Sequence, residues 1–158
     1  MDLKFNTDAG IFSVRVRALI INGNKLLAMH DGYAPYYYLV GGKVEINETA
    51  EEAVLREVRE ELEIEAEITR PVYFAENFYT DGSDGKKYHE IALYYLLDIS
   101  KTGLLSRGDK FVIQEGKHTL TFEWLDIGGL EDKYLYPTFI KKEVKNLPEQ
   151  LKFIVERE

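Results

Sequence analysis

Apolar and polar residues alternate along several short segments of the chain, which is the pattern of half-buried β-strands. In Ile11–Ile21 the apolar positions Phe12, Val14, Val16, Ala18 and Ile20 would share one face, and β-branched residues are frequent. Asn22-Gly23 follows, a dipeptide that favours two-residue hairpins. We therefore predict that Lys25–His30 is the returning strand of a hairpin.

Four further segments rich in apolar, β-branched and aromatic residues predict strands: Tyr36–Val40, Ala66–Tyr79, Tyr88–Ile99 and Thr119–Leu125. The first of these runs directly into Gly41-Gly42. The second and third flank the turn-like segment Asp81–Gly85, so they are predicted to pair with each other.

Two segments show helical signals. Thr49 and Glu52 have the spacing of a capping box, which predicts a helix over Thr49–Glu63. Its apolar stripe is formed by Val54, Leu55, Val58 and Leu62. A second helix is predicted over Thr138–Leu147, between two prolines. Strands before, between and after two helices predict a mixed sheet covered by helices, an α/β or α+β sandwich in a single domain over residues 1–158.

Composition narrows the functional classes. The chain has 158 residues, no cysteine and a net charge of −8, so disulfides, thiolate metal sites and cysteine nucleophiles are excluded. An acidic surface repels nucleic acid polymers and anionic membranes. The longest apolar run, Ile91–Leu97, is too short to span a bilayer, and the N-terminus lacks a secretory signal pattern. The expectation is a cytoplasmic protein with a small-molecule partner.

Acidic residues are concentrated around the first helix: Lys43–Glu63 holds eight glutamates against three basic residues. Glu57, Glu60 and Glu61 share one helix face at i, i+3 and i+4, whereas Arg56 is placed on the opposite side, within reach of Glu52. One interpretation is a solvated helix face. We favour a site for Mg²⁺ or Mn²⁺, since three unpaired carboxylates beside the apolar stripe suit a hard cation.

The segment from Gly42 to Ile64, GKVEINETAEEAVLREVREELEI, resembles the Nudix box, Gx5Ex7REUxEExGU with U aliphatic. Eight of its nine fixed positions match: Gly42, Glu48, Arg56, Glu57, Val58, Glu60, Glu61 and Ile64. The late glycine is replaced by Glu63, and two commoner companions differ, with Val40 in place of proline and Asn47 in place of glycine. Glu63 puts the turn at the end of the helix in question, because glycine there is normally left-handed.

The resemblance to this MutT-like family implies a Nudix-type α/β/α sandwich and a pyrophosphatase that uses water and a divalent metal to cleave a diphosphate linkage. Carried over by position, Glu57, Glu60 and Glu61 would be metal ligands. Gly42 would hold metal or phosphate by its backbone, and Glu48 and Arg56 would form an ion pair. The base in this family comes from the box or from a later loop, so Glu61 and Glu115 are the candidates.

Other choices stay open in the sequence. Gly41 and Gly42 are predicted to form a phosphate-side wall, and Arg15 and Arg17, on one strand face, either contact phosphate or lie on an exposed sheet face. The rival to a hydrolase is a catalytically weak nucleotide-binding or regulatory module of the same fold. The substrate is open among ADP-ribose, nucleoside triphosphates, dinucleoside polyphosphates and nucleotide sugars. Homodimers are common in the family, and the sequence does not decide the oligomeric state.

Overall fold

The computed structural model describes residues 1–158, which form ten strands and two helices. In chain order the elements are β1 (Lys4–Thr7), β2 (Gly10–Leu19), β3 (Ile21–Asn22), β4 (Lys25–His30), β5 (Gly41–Lys43), α1 (Ala50–Leu62), β6 (Glu67–Thr80), β7 (Lys87–Asp98), β8 (Lys110–Glu115), β9 (His118–Asp126), α2 (Ile140–Glu143) and β10 (Lys152–Arg157). Two 3₁₀ turns, Leu104–Arg107 and Ile127–Asp132, lie between them.

The strands form two sheets. The larger has the order β1-β2-β7-β6-β10, and β5 also pairs with β2. The β2–β7 and β6–β10 pairs are parallel and the other pairs are antiparallel, which confirms the predicted mixed sheet. The smaller sheet, β3-β4-β9-β8, is antiparallel throughout.

Side chains alternate along the strands of the larger sheet, which gives the sheet two faces, and the two helices cover opposite faces. Val16 and Ala18 of β2 belong to the buried cluster that contains Val54 and Val58 of α1. Leu19 belongs instead to the cluster that contains Ile140 of α2. The larger sheet therefore has one face toward α1 and one face toward α2. None of the helices is long and apolar enough to cross a bilayer.

Several local predictions are confirmed. β4 spans the predicted Lys25–His30, and the hairpin before it closes with Asn22 opposite Lys25. β6 and β7 begin and end within one residue of the predicted strands.

Two predictions are wrong. Tyr37 and Tyr38 make only isolated bridges, and the strand is Gly41–Lys43, the glycine segment itself, which pairs with β2. The second helix is reduced to Ile140–Glu143. Residues before and after it form tighter bonds to the carbonyl three residues back, as in Lys141 N–H to Thr138 and Asn146 N–H to Glu143. Strands β1, β8 and β10 were not predicted.

Candidate functional site

Helix α1 begins with the predicted capping box. The Thr49 hydroxyl accepts from the Glu52 N–H at 3.1 Å, and the Glu52 carboxylate accepts from the Thr49 N–H at 2.9 Å. Glu52 is therefore used at the helix start, and the predicted Glu52–Arg56 pair is wrong. Reciprocal capping fixes the first turn and with it the direction of every side chain along α1.

The helix ends at Glu63, which adopts the left-handed conformation with φ 57° and ψ 41° and donates its N–H to the Arg59 carbonyl. Asn47, in the loop before α1, is also left-handed with φ 66°. These are the two positions at which the Nudix pattern favours glycine. The turns therefore keep their geometry without glycine, at a conformational cost that is higher for Glu63 than for Asn47.

We expect Glu63→Gly to stabilise the protein by about 0.5–1 kcal/mol, because glycine removes the left-handed penalty but adds freedom to the unfolded chain. The melting temperature should rise by roughly 1–4 °C, measured by calorimetry. The matched control is Glu51→Gly, since Glu51 lies in the first turn of the helix with right-handed backbone, where glycine should lower the melting temperature. A fall in both variants would contradict the strain at Glu63.

Arg56 connects the helix to the loop before it. Its Nε donates to Glu48 Oε2 at 2.7 Å, and Nη2 donates to Glu48 Oε1 at 2.9 Å and to the Lys43 carbonyl at 3.1 Å. Glu48 also accepts from the Glu45 N–H at 3.0 Å. The hydrogen bond from Arg56 holds the pKa of Glu48 below its usual range, and the bond to Glu48 raises the pKa of Arg56. Arg56 thus lies on the loop side of α1 and not on its solvent side.

The remaining Nη1 of Arg56 reaches the acidic face of α1. It lies 3.0 Å from Glu57 Oε1 and 3.4 Å from Glu60 Oε2. With Glu45 Oε1 at 4.0 Å from the same Nη1, the guanidinium is shared by four carboxylates, two from the loop and two from the helix. This arrangement couples the conformation of the Lys43–Glu48 loop to the orientation of the acidic side chains.

Gly41 and Gly42 lie against the acidic face through β5. A Cβ atom at Gly42 would overlap the carboxylate of Glu57, and one at Gly41 would overlap the Val16 carbonyl of the neighbouring strand. Only glycine permits this close approach. The segment predicted as a phosphate-side wall is thus packed directly on the first of the three helix glutamates.

Glu61 is the most unusual of the acidic residues. Its side chain is buried, with 8% of the residue exposed, and its Oε2 atom has no hydrogen-bond partner. Burial, followed by the charge of Glu57, raises its pKa to about 9, while the positive charge of Arg17 acts in the opposite direction. A bound cation would offset the burial of this carboxylate and its repulsion by neighbouring carboxylates.

Glu115 lies at the end of β8, next to the turn that leads into β9. Burial, and after it the charges of Glu60 and Glu57, raises its pKa. The fold therefore brings Glu115 to the same acidic region as α1, although more than 50 residues separate them in sequence. The prediction placed Glu115 in a loop, whereas the structure places it in a hairpin strand.

The four glutamates surround one region but differ in exposure. Glu60 is half exposed, Glu57 is mostly covered and Glu61 is buried. No group of three or more acidic or histidine side chains is arranged as a set of metal ligands. The expectation of three unpaired carboxylates is wrong for Glu57 and Glu60, which pair with Arg56. The donor chemistry nevertheless fits a hard divalent cation, since the unpartnered oxygen and raised pKa of Glu61 mark a carboxylate without an ion-pair partner.

Arg15 and Arg17 both point to the face of the sheet that packs against α2, yet their surroundings differ. Arg17 donates to the Leu39 carbonyl at 2.9 Å and lies over the Tyr38 ring at 5.7 Å. Its charge acts on Glu61, so it lies near the acidic region. Arg15 lies 3.3 Å from Glu90 of β7, a residue that the sequence analysis did not single out. A signal for Glu90 was present in the sequence. Ile91 and Leu93 are apolar and face α1, so Glu90, which alternates with them, must point to the opposite face of the sheet.

Comparison with known proteins agrees with this geometry. The family model described as NUDIX domain matches residues 12–143. Among curated proteins no relative matches.

Three solved structures show the fold. An ADP-ribose pyrophosphatase from Streptococcus suis is 17% identical, with 90% of this chain and 98% of that chain covered and a TM-score of 0.58. A UDP-X diphosphatase is 18% identical over 90% of this chain and 66% of that chain, with a TM-score of 0.59. A MutT NUDIX hydrolase from Burkholderia pseudomallei is 24% identical over 82% and 95%, with a TM-score of 0.57.

The matched residues include most of β2, all elements from β3 to α2, and with them the acidic helix and its preceding loop. The match thus spans most of the chain and is not confined to the box motif. The chain belongs to the NUDIX domain family.

Proposed function

We propose that this protein is a metal-dependent pyrophosphohydrolase that uses water to cleave a diphosphate linkage in a nucleotide or a nucleoside-diphosphate derivative. Two proteins of similar fold bear names of this kind, an ADP-ribose pyrophosphatase and a UDP-X diphosphatase. The observation that carries the proposal is the environment of Glu61, a buried carboxylate with an unpartnered oxygen among other carboxylates.

Glu57, Glu60 and Glu61 would hold Mg²⁺ or Mn²⁺ from one face of α1. Such an ion, when bound, neutralises phosphate charge and makes a bound water more acidic. The glycine wall formed by Gly41 and Gly42 brings backbone close to Glu57, where it would receive a phosphate. Arg56 and Glu48 hold the loop and the helix glutamates in place, so they act as positioning residues.

A proton acceptor for the attacking water is the second requirement of the reaction. Glu115 suits this role, since burial and neighbouring carboxylates raise its pKa toward the working range of a general base. Glu61 would then serve as a ligand. Arg17 lies near Glu61 and would contact the phosphates, whereas Arg15 lies farther along the same strand, beside Glu90.

The test is hydrolysis of a panel of diphosphate compounds: ADP-ribose, nucleoside triphosphates, a dinucleoside polyphosphate and a nucleotide sugar. Each is assayed with Mg²⁺, with Mn²⁺ and with a chelator, and products are identified by chromatography. We expect metal-dependent cleavage of one substrate class between two phosphates. If none is cleaved in either metal while a nucleotide raises the melting temperature, the protein is a binding module instead.

A further inference from the structure

The face of the larger sheet that packs against α2 carries polar side chains at one level of four adjacent strands. Ser13 of β2 is the register partner of Glu90 of β7, Glu90 is opposite Asn77 of β6, and Asn77 is opposite Glu156 of β10. Register partners point to the same side of a sheet. We call these four residues the polar row.

The polar row is largely shielded from solvent. Ser13 is 2% exposed, and Asn77 and Glu90 are each 8% exposed. Some of its groups are paired: the Ser13 hydroxyl lies 3.4 Å from Glu90 Oε2, and the Thr138 hydroxyl donates to Glu156 Oε1 at 2.6 Å. Buried polar groups in folded proteins nearly always have partners, so the unpaired ones are informative.

Three buried polar atoms in or next to the polar row have no hydrogen-bond partner: Arg15 Nε, Asn77 Oδ1 and Glu156 Oε2. Arg15 Nε lies 3.3 Å from Glu90 Oε2 but is not aligned for a hydrogen bond. Asn77 is more than nine-tenths buried, so solvent is a poor substitute for its missing donor. The row therefore offers two unmatched acceptors, on β6 and β10, and Arg15 beside it on β2 offers one unmatched donor.

An aromatic pair borders the polar row. Tyr79 and Tyr88, two residues beyond Asn77 and before Glu90, stack with ring centroids 5.0 Å apart and planes 7° apart. Tyr79 and Tyr88 are register partners two positions from the Asn77–Glu90 pair, so their side chains lie on the same face of the sheet as the row. Flat apolar surface beside hydrogen-bonding groups suits a planar or ring-shaped ligand.

The row also has a suitable position relative to the acidic region. Arg17 and Ser13 lie four residues apart on β2, about 13 Å at the usual rise of a strand. Arg17 is the register partner of Gly41, the neighbour of the glycine that packs against Glu57, whereas Ser13 belongs to the row. A substrate whose diphosphate lies at the glutamates would therefore extend its other end along β2 toward Glu90 and Asn77.

We propose that the polar row is the specificity site for the organic group attached to the diphosphate, and that it selects a group with two neighbouring hydrogen-bond donors and an adjacent acceptor. This rests on the proposed function. The unmatched acceptors receive the donors and Arg15 donates to the acceptor. The Watson–Crick edge of guanine has this pattern, and so do the hydroxyls of a sugar.

The experiment compares kcat and KM of the wild type, Asn77→Ala and Glu90→Gln on guanosine and inosine triphosphates, UDP-glucose, and methyl triphosphate, which lacks both base and sugar. For the preferred compound each variant should lower kcat/KM by about 10–100-fold, mainly through KM. Hydrolysis of methyl triphosphate should stay within about twofold. If the row recognises a base, kcat/KM of the wild type should be lower for inosine triphosphate, which lacks the amino donor, than for guanosine triphosphate. If the row recognises a sugar, UDP-glucose should be the preferred substrate.

The matched control is Glu76→Gln, since Glu76 lies on β6 next to Asn77 but points to the opposite face. Glu76→Gln should leave kcat and KM unchanged for the preferred compound and for methyl triphosphate. Equal losses on methyl triphosphate and on the preferred compound, or selectivity unchanged in Asn77→Ala and Glu90→Gln, would overturn the proposal. Circular dichroism and melting temperature establish that each variant is folded.

Failure of the proposed function is distinguished by binding. If the wild type cleaves nothing, melting temperatures are measured with guanosine monophosphate, UDP-glucose and methyl phosphate. A shift for one of the first two, absent in Asn77→Ala and present in Glu76→Gln, supports the polar row as a binding site although the hydrolase assignment fails. The absence of any shift overturns both.

Discussion

Replacing Glu61 with glutamine is expected to stop hydrolysis and, without metal ion, to make the protein more stable. Glutamine keeps the size of the side chain but removes the buried charge that the active arrangement requires. The loss in kcat should be about a thousandfold or more, as for other essential charged groups in active sites. The measurement is steady-state hydrolysis of the best substrate in the panel, with saturating Mg²⁺.

The opposite effect on stability follows from the pKa of Glu61, which burial and Glu57 raise from 4.5 to about 9. Between these values the folded protein binds a proton that the unfolded chain has released, so the free energy of unfolding falls as the pH rises through this window. Glutamine does not titrate. In chelator at pH 8 the variant should therefore gain roughly 2–4 kcal/mol, after allowance for local relaxation around the carboxylate.

The check is calorimetry of both proteins in chelator from pH 5 to pH 9. The wild-type melting temperature should decline with pH more steeply than that of Glu61→Gln, and the two curves should converge toward pH 5. The matched control is Glu60→Gln, because Glu60 is half exposed and lacks the burial of Glu61. It should lose activity without the large gain in stability. Equal pH slopes in wild type and Glu61→Gln would contradict the buried position of this carboxylate.

Removing Arg56 is expected to destabilise the protein more than any other single surface change near the helix. Arg56→Ala leaves Glu48, Glu57 and Glu60 without their shared guanidinium. Because Glu48 and Glu57 are mostly covered, the loss should be about 2–4 kcal/mol, near the range for breaking a buried ion pair. The melting temperature should fall by roughly 4–16 °C, and hydrolysis should fall as the loop loses its position.

Arg59 supplies the control, since it lies one turn along and pairs with Glu65 at 2.6 Å on the exposed surface. Arg59→Ala should leave the melting temperature and hydrolysis almost unchanged, because exposed ion pairs contribute little. Arg56→Lys should recover only part of the stability, since an ammonium group does not reproduce the paired bonds to Glu48. Equal falls in melting temperature for Arg56→Ala and Arg59→Ala would show that the ion pair between Arg56 and Glu48 adds nothing to stability.

The site is assembled from contacts within helix α1 and from contacts between α1 and the loop before it. Helix periodicity predicted the first kind correctly and the second kind incorrectly. Glu57, Glu60 and Glu61 share a helix face through spacing alone, and the helix limits follow from the capping box at Thr49. The resemblance to the Nudix box supplied the pair between Glu48 and Arg56, whereas spacing had placed Arg56 beside Glu52. Glu52 was already committed to the cap, a competition that helix periodicity does not reveal.

Features that depend on neighbours a few residues apart were therefore predictable before the fold was known. These include the hairpin before Lys25–His30, the paired strands β6 and β7, and the acidic face of α1. Local backbone preference and side-chain periodicity specify such contacts, whatever the rest of the fold does. Strand β1 has no apolar run of its own and exists through pairing with β2. Strands β8 and β10 each hold a three-residue apolar run, Phe111–Ile113 and Phe153–Val155, a strand signal that the prediction did not use.

Contacts between residues distant in sequence could be read only from the folded chain. Ser13 and Glu90 are 77 residues apart in sequence, and they are brought together by the parallel register of β2 and β7. Glu115 reaches the acidic region because β8 pairs with β9. The burial that raises the pKa of Glu61 arises from packing of elements far along the chain. Strand register and burial are collective properties of the packed core, so no local pattern encodes them.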